Sequence, residues 1–369
     1  MVKKLIFVFF SILVSLFLVE IILQRLPHST LKFYDNNIFG SALIPNQKEV
    51  FVSETSEYKN LVQVNSHGWP DIEHSYDKPD GIYRILILGD SFVENFQVPL
   101  EARFYRQLQN KLGSKYEIIA MARGNTGTAP QYLMLKNYGL KYKPDLVIHM
   151  FFEANDIKNN SPKMQNDPFL PYFTIDSGGG LVEIPRSNRI QKKLASIKEF
   201  LTNFRLIALL FSARRSIIEQ NQSSRFGYPI DYHVYDKSYN EEYTKTWEAT
   251  KKLILETKKM VENAGGKYVF VASPGNEQIQ KDVQGKITQT YPKFSLSEID
   301  FNKPGKILKE FCNQEAVDCY FMYPFFQEYL SLNPKARLYY FYDGHWNQTG
   351  TDVAAEFLYQ NLKDYFKTK

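Results

Sequence analysis

The sequence predicts an α/β chain: a doubly wound, mostly parallel five-stranded sheet flanked by helices, with a helical insertion and an N-terminal transmembrane helix. Three observations predict it. Short apolar runs of strand formers recur, amphipathic helical patterns lie between them, and one unbroken apolar run opens the chain. Strands alternating with helices imply right-handed crossovers and a sheet covered on both faces. Active sites in such sheets lie beyond the carboxyl ends of the strands.

The apolar run Leu5 to Gln24 is interrupted only by Ser11, Ser15 and Glu20. At 1.5 Å per residue, about 20 residues cross the hydrocarbon core. Lys3 and Lys4 precede the run, so the N-terminus is expected on the cytoplasmic side and everything after Arg25 outside. A cleaved signal peptide would need a small-x-small site, and Val19 to Pro27 contains none. The expected organisation is an anchor over 1–25, an approach segment over 26–80, and a main domain over 81–369 with an insertion at about 158–240.

The expected strands are Tyr83 to Leu88, Tyr116 to Ala120, Leu146 to Phe152, Lys267 to Ala272 and Val317 to Met322. Tyr243, Trp247, Thr250, Ile254, Thr257 and Val261 trace one face of a helix that Gly265-Gly266 stops. Thr351 to Phe366 carries the last helical pattern. Within the insertion, Ile197 to Ile218 is a partly apolar helix candidate. Arg205, Arg214 and Arg215 argue against a second span there, leaving a packed helical insertion or a lid or membrane-surface helix.

Composition narrows the function. Of 369 residues, 44% are hydrophobic and 23% charged, enough for a packed core. A net charge of +5 is too mild for a nucleic-acid protein. Two cysteines exclude a disulfide-framework fold and a four-thiolate zinc site. Cys312 and Cys319 are either a disulfide in an oxidising compartment or two buried thiols. No G-x-S-x-G, H-E-x-x-H, Walker A loop or strand-linked G-x-G-x-x-G occurs. His28, His67, His74 and His233 lie in polar or irregular segments and are expected to be solvated. His149, in an apolar strand, is expected to be a hydrogen-bonded core residue.

Four short elements carry chemistry. Gly89-Asp90-Ser91 follows the first strand of the sheet, with Phe92 to Phe96 expected to begin a helix whose free N–H groups favour an oxyanion. Arg123-Gly124-Asn125-Thr126-Gly127-Thr128 and Glu153-Ala154-Asn155-Asp156 follow the next two strands. They offer a backbone N–H and an amide to developing negative charge. Asp343-Gly344-His345-Trp346-Asn347 precedes the last helix, supplying an imidazole and a carboxylate to orient it.

In this order the four elements resemble the SGNH (GDSL-type) hydrolases, from about Asn65 to the C-terminus apart from the insertion. The resemblance implies a flavodoxin-like fold with Ser91 as nucleophile and His345 and Asp343 as base and acid. It places Asn155 in the oxyanion hole with a backbone N–H of Gly124 or Asn125. Asn65-Ser66-His67-Gly68-Trp69 looks like the lead-in of bacterial members. The run D-G-H-W-N-Q-T-G is similar to envelope-associated members, including alginate acetyltransferase-like ones, and its single-residue Asp-to-His spacing is the acyltransferase-like one. Glu153 departs from the family, standing where a glycine is usual and able to narrow the pocket or place a carboxylate near it. The implied function is a serine-dependent ester hydrolase acting on O-acyl, foremost O-acetyl, groups of cell-envelope carbohydrate. An O-acyltransferase and a non-catalytic envelope binding module are the alternatives. The expected partners are a small-molecule or glycan ester and, through the N-terminal helix, a membrane. No nucleic acid, metal or cofactor is expected.

Overall fold

A computed structural model describes residues 2–186, 189–294 and 297–366. Parts of the expected anchor (1), insertion (187–188) and main domain (295–296, 367–369) lie outside these residues. In chain order the strands are β1 (Phe33–Asn36), β2 (Gly40–Leu43), β3 (Lys48–Val52), β4 (Lys59–Gln63), β5 (Tyr83–Gly89), β6 (Tyr116–Ala122), β7 (Leu146–Phe152), β8 (Phe173–Ile175), β9 (Leu181–Glu183), β10 (Lys267–Ser273) and β11 (Cys319–Phe321). The helices are α1 (Val2–Arg25), α2 (Ser91–Glu94), α3 (Phe104–Leu112), α4 (Thr128–Asn137), α5 (Asp156–Asn159), α6 (Pro162–Gln165), α7 (Arg189–Leu201), α8 (Arg205–Phe226), α9 (Glu241–Asn263), α10 (Asn276–Ile279), α11 (Lys281–Thr290), α12 (Lys303–Gln314), α13 (Met322–Leu332) and α14 (Gln348–Asn361).

The core is a five-stranded sheet in the order β11-β10-β7-β5-β6, every neighbouring pair parallel. The fold is the α/β class the sequence predicts. From β5 the chain steps to β6, then crosses back to β7 on the other flank of β5 and continues outward. The strand order therefore reverses between β5 and β7, and the crevice at their carboxyl ends is where such sheets bind ligands. All seven residues of β7 are buried, as a strand covered on both faces requires. One helical layer contains α3 packed on α14 and β6, and the other contains α4 packed on α9 and β5. As expected, His149 is a core residue, its ring nitrogens bonded to Tyr268 Oη (2.7 Å) and Gln131 Oε1 (2.8 Å).

Several expectations need correction. The helix candidate over Ile197 to Ile218 is two helices, α7 and α8, separated by residues 202–204. A fresh start is imposed at α8 because the Glu20 carboxylate accepts from the N–H groups of Arg205 (2.7 Å) and Leu206 (2.9 Å). The side chains of Arg215 and Ile218 lie outside the described residues. The last strand is only three residues, because Met322 already opens α13. His74 is buried rather than solvated, bonded to Glu117 (2.8 Å) and Asp71 (3.2 Å). Burial opposes its protonation, but those two carboxylates overcome this and raise it to about 9.

Residues 26–80 hold two antiparallel hairpins, β1–β2 and β3–β4. Leu31, Leu43, Val62 and Val64 from this segment enclose Phe96 of the main body in a small apolar cluster. Cys312 and Cys319 form a disulfide that ties α12 to β11. Helix α1 has 24 residues, and its most apolar 18-residue window has mean hydropathy 2.9 with none of it buried, so it is long and apolar enough to cross a membrane.

Candidate active site

The crevice between β5 and β7 collects residues from four distant stretches of chain. Asp90 ends the β5 turn, and its carboxylate accepts from the Phe92 N–H (2.9 Å), leaving Ser91 at the first position of α2. That helix is a single turn, shorter than expected, because Asn95 adopts a left-handed conformation (φ 50°) and stops it. Four residues align few peptide dipoles, so any oxyanion stabilisation rests on individual N–H groups rather than a helix field.

The serine hydroxyl lies 2.8 Å from His345 Nε2, although 254 residues separate them in sequence. On the far side of the ring, Nδ1 is 2.7 Å from Asp343 Oδ1. Gly344 between them has φ +80°, a left-handed turn that brings both side chains to one side. The Phe92 ring lies 4.9 Å from the imidazole and stacks on Phe152 at 3.9 Å, walling the base. Trp346, fully buried, anchors the loop against Phe92 and Phe104.

Two residues of the β3–β4 turn hold this loop, and the sequence carries no local sign of it. Tyr58 donates from its hydroxyl to Asp343 Oδ2 (2.9 Å). The Glu57 carboxylate accepts from the backbone N–H groups of Phe341 (2.9 Å), Tyr342 (3.1 Å) and Asp343 (2.7 Å). Burial pushes the Asp343 carboxyl up, but the His345 hydrogen bond and charge, then the Tyr58 hydroxyl, bring it below the ordinary range. Burial likewise disfavours a charged His345, yet Asp343, with the nearby Asp90 and Glu94 carboxylates, raises its pKa. Serine, imidazole and carboxylate thus form one hydrogen-bonded chain, the arrangement in which a ring nitrogen takes a hydroxyl proton.

Gly124 sits directly beside the serine: a Cβ there would come 3.4 Å from Ser91 Cβ and 2.6 Å from Glu94 Oε2. Asn125 is turned away in a left-handed conformation (φ 61°), its carbonyl accepting from Gln165. Of the two residues expected to offer an N–H, Gly124 is the one whose α-carbon faces the Ser91 side chain. Arg123 pairs with Glu94 (2.9 Å), donates to the Ser41 carbonyl (2.8 Å) and lies over the Phe33 ring, so the β1–β2 hairpin steadies this loop. Asn155 ends the β7 turn with its side chain toward Asp90, and its Oδ1 is without a protein partner. Behind it Asp156 accepts from the Phe152 N–H (2.9 Å), and burial, then the charge of Asp90, push its carboxyl well up.

Glu153 does not narrow the crevice. It is buried inward, accepting from Gln278 Nε2 (2.8 Å), and burial pushes it up to about 7. Among the described residues no group of three or more His, Cys, Asp or Glu is arranged to hold a metal ion.

No protein-family model matches this chain, and no curated protein does. Among solved structures it is similar to an acetyl xylan esterase, at 12% identity over 76% of this chain and 100% of that one, with a TM-score of 0.42. It is similar also to a carbohydrate acetylesterase family member from Sinorhizobium meliloti (12%; 77% and 99%; 0.35). A GDSL-like lipase from Bacteroides thetaiotaomicron is a third (9%; 76% and 88%; 0.37). So distant a likeness leaves the chemistry to be argued from the site itself.

Proposed function

We propose that the protein is a serine esterase of SGNH type that removes O-acyl groups, foremost O-acetyl, from cell-envelope carbohydrate. The observation that carries this reading is the chain Ser91 Oγ–His345 Nε2–Asp343, with bonds of 2.8 and 2.7 Å. His345 takes the hydroxyl proton as Ser91 Oγ attacks the acyl carbon. The imidazolium that forms is stabilised by Asp343 and then gives its proton to the departing sugar alcohol. The tetrahedral oxyanion is held by the Ser91 and Gly124 N–H groups and the Asn155 amide. Water, deprotonated by His345, attacks the acyl-enzyme, and carboxylic acid leaves as Ser91 recovers its proton.

Helix α1 serves as a membrane anchor, with Lys3 and Lys4 on the cytoplasmic side and the main body exported. The Cys312–Cys319 disulfide suits an oxidising compartment. The test is hydrolysis of p-nitrophenyl acetate and release of acetate from acetylated envelope glycans by the full chain in detergent. Ser91→Ala is expected to abolish both, and equal activity in that variant would remove Ser91 from the mechanism.

A second reading, an O-acyltransferase, draws on the Asp343-Gly344-His345 spacing and the tether. It shares the acyl-enzyme and differs only in accepting a sugar hydroxyl instead of water. The ratio of acylated sugar to free acid formed from one acyl donor separates the two.

A further inference from the structure

The α7–α8 hairpin stands apart in charge and, α1 aside, in how many large apolar side chains it exposes. Residues 189–226 carry eight Lys and Arg against two Glu, a net +6, whereas the remainder holds 37 basic and 38 acidic residues. The whole positive charge of the protein therefore resides in this one hairpin. On the same two helices and the turn between them, Leu194, Ile197, Phe200, Phe204, Leu209 and Leu210 are exposed, Phe200 and Leu210 at 63% each. Monomeric proteins rarely leave so many large apolar side chains in water on one element. Cationic heads interleaved with exposed leucine and phenylalanine are the composition of helices that lie in a bilayer interface. The Lys198 ammonium lies 5.6 Å from the Phe211 ring, linking α7 to α8.

The hairpin is also fixed beside the expected membrane helix. Glu20 of α1 caps the start of α8, and Gln24 donates to the Asn203 carbonyl (3.0 Å). This accounts for the one carboxylate in the apolar run: its charge is spent on the N–H groups of α8. Glu20 is five residues before Arg25, where α1 ends, so α8 begins ~7.5 Å before that end. Interfacial helices lie about 5–10 Å into the headgroup and acyl boundary, the same depth.

We infer that the α7–α8 hairpin docks on an anionic bilayer, its exposed apolar side chains at the acyl boundary and Lys193, Lys198, Arg205 and Arg214 on lipid phosphates. The inference rests on α1 being embedded in that bilayer. A protein partner is the competing occupant, but the concentration of cationic charge beside a membrane helix favours lipid.

The test uses the full chain, whose two cysteines are both in the disulfide. A bimane label is placed at Leu210→Cys, at Leu13→Cys within α1, and at Glu328→Cys, an exposed position of α13. The protein is reconstituted in protein-free phosphatidylcholine vesicles with or without about 30 mol% phosphatidylglycerol, and quenching by nitroxide-labelled lipid is read. With phosphatidylglycerol, position 210 is expected to be quenched several-fold more than position 328 and to approach position 13. Each cation near an anionic surface contributes about fivefold, so Lys193→Gln with Arg214→Gln should lower the docked-to-undocked ratio about 25-fold. Quenching at 13 with 210 no different from 328 overturns the docking alone, as does equal quenching at 210 without phosphatidylglycerol. Absence of quenching at 13 overturns the anchor, and the docking with it.

Discussion

Replacing Tyr58 by phenylalanine isolates the contribution of the β3–β4 hairpin to the chemistry. The ring is buried and packs on Tyr340 (4.9 Å) and Phe51 (6.1 Å), contacts that phenylalanine keeps. What is lost is one hydroxyl bonded at 2.9 Å to a carboxylate. A hydrogen bond to a charged group contributes about 1.5–3 kcal/mol, or about 10- to 150-fold in rate if all of it goes into holding Asp343 in place, against which the extra charge left on that carboxylate works. Glu57 still holds the loop through three backbone N–H groups, so the loss expected is at the lower end, about tenfold in kcat. The pH profile gives a sign that a purely structural role would not move. The hydroxyl draws charge from Asp343, so its removal leaves more negative charge for the imidazolium and raises the His345 pKa further. The base works only when neutral, so the acid limb of kcat/KM should move to higher pH. The assay is p-nitrophenyl acetate hydrolysis from pH 5 to 9, with thermal melting alongside. Unchanged kcat with an unmoved acid limb would refute the reasoning, as would a loss of activity matched by a large fall in Tm.

Other substitutions probe the remaining parts. Asn155→Ala should lower kcat about 10²–10³-fold with little change in KM, since the amide acts on charge that develops only in the transition state. Gly124→Ala places a methyl 2.6 Å from Glu94 Oε2 and against Ser91 Cβ. It should cost activity while an Arg123→Lys control, which keeps the charge, costs less. Glu153→Gln keeps an oxygen for Gln278 but removes a buried acid whose pKa is raised from 4.5 to about 7. A raised carboxyl destabilises the fold as pH climbs from the unfolded value through the folded one. The variant should therefore be more stable than the parent at pH 8, by up to roughly 3 kcal/mol, and melt at a higher Tm, with the gain vanishing near pH 4. Differential scanning at the two pH values reads it.

What was legible in the sequence follows from where each signal lies. Ser91, Gly124 and Asn155 each sit within three residues of the end of a buried apolar strand, so period and turn residues place them at one sheet edge. Asp343 and His345 lie just before an amphipathic helix with an asparagine cap, another local signal. The short α2 escaped because Phe92 to Phe96 is as apolar as a helix start, and only the left-handed Asn95, bonded through its side chain to Thr351, ends it. Glu57 and Tyr58 escaped for a different reason: their partners are 284 to 286 residues away, and the two flanking strands are five residues each without clear alternation. The two helices of the insertion looked like one because the break is made by Glu20, far back in the anchor.

The claim on which everything functional depends is that Ser91 is made nucleophilic by His345. Treating the full chain with a fluorophosphonate and mapping the adduct by peptide mass measures this directly. The account predicts one adduct, on Ser91, absent in Ser91→Ala and formed orders of magnitude more slowly in His345→Ala. A folded protein that hydrolyses esters yet leaves Ser91 unmodified, or that labels equally fast without the imidazole, would contradict it.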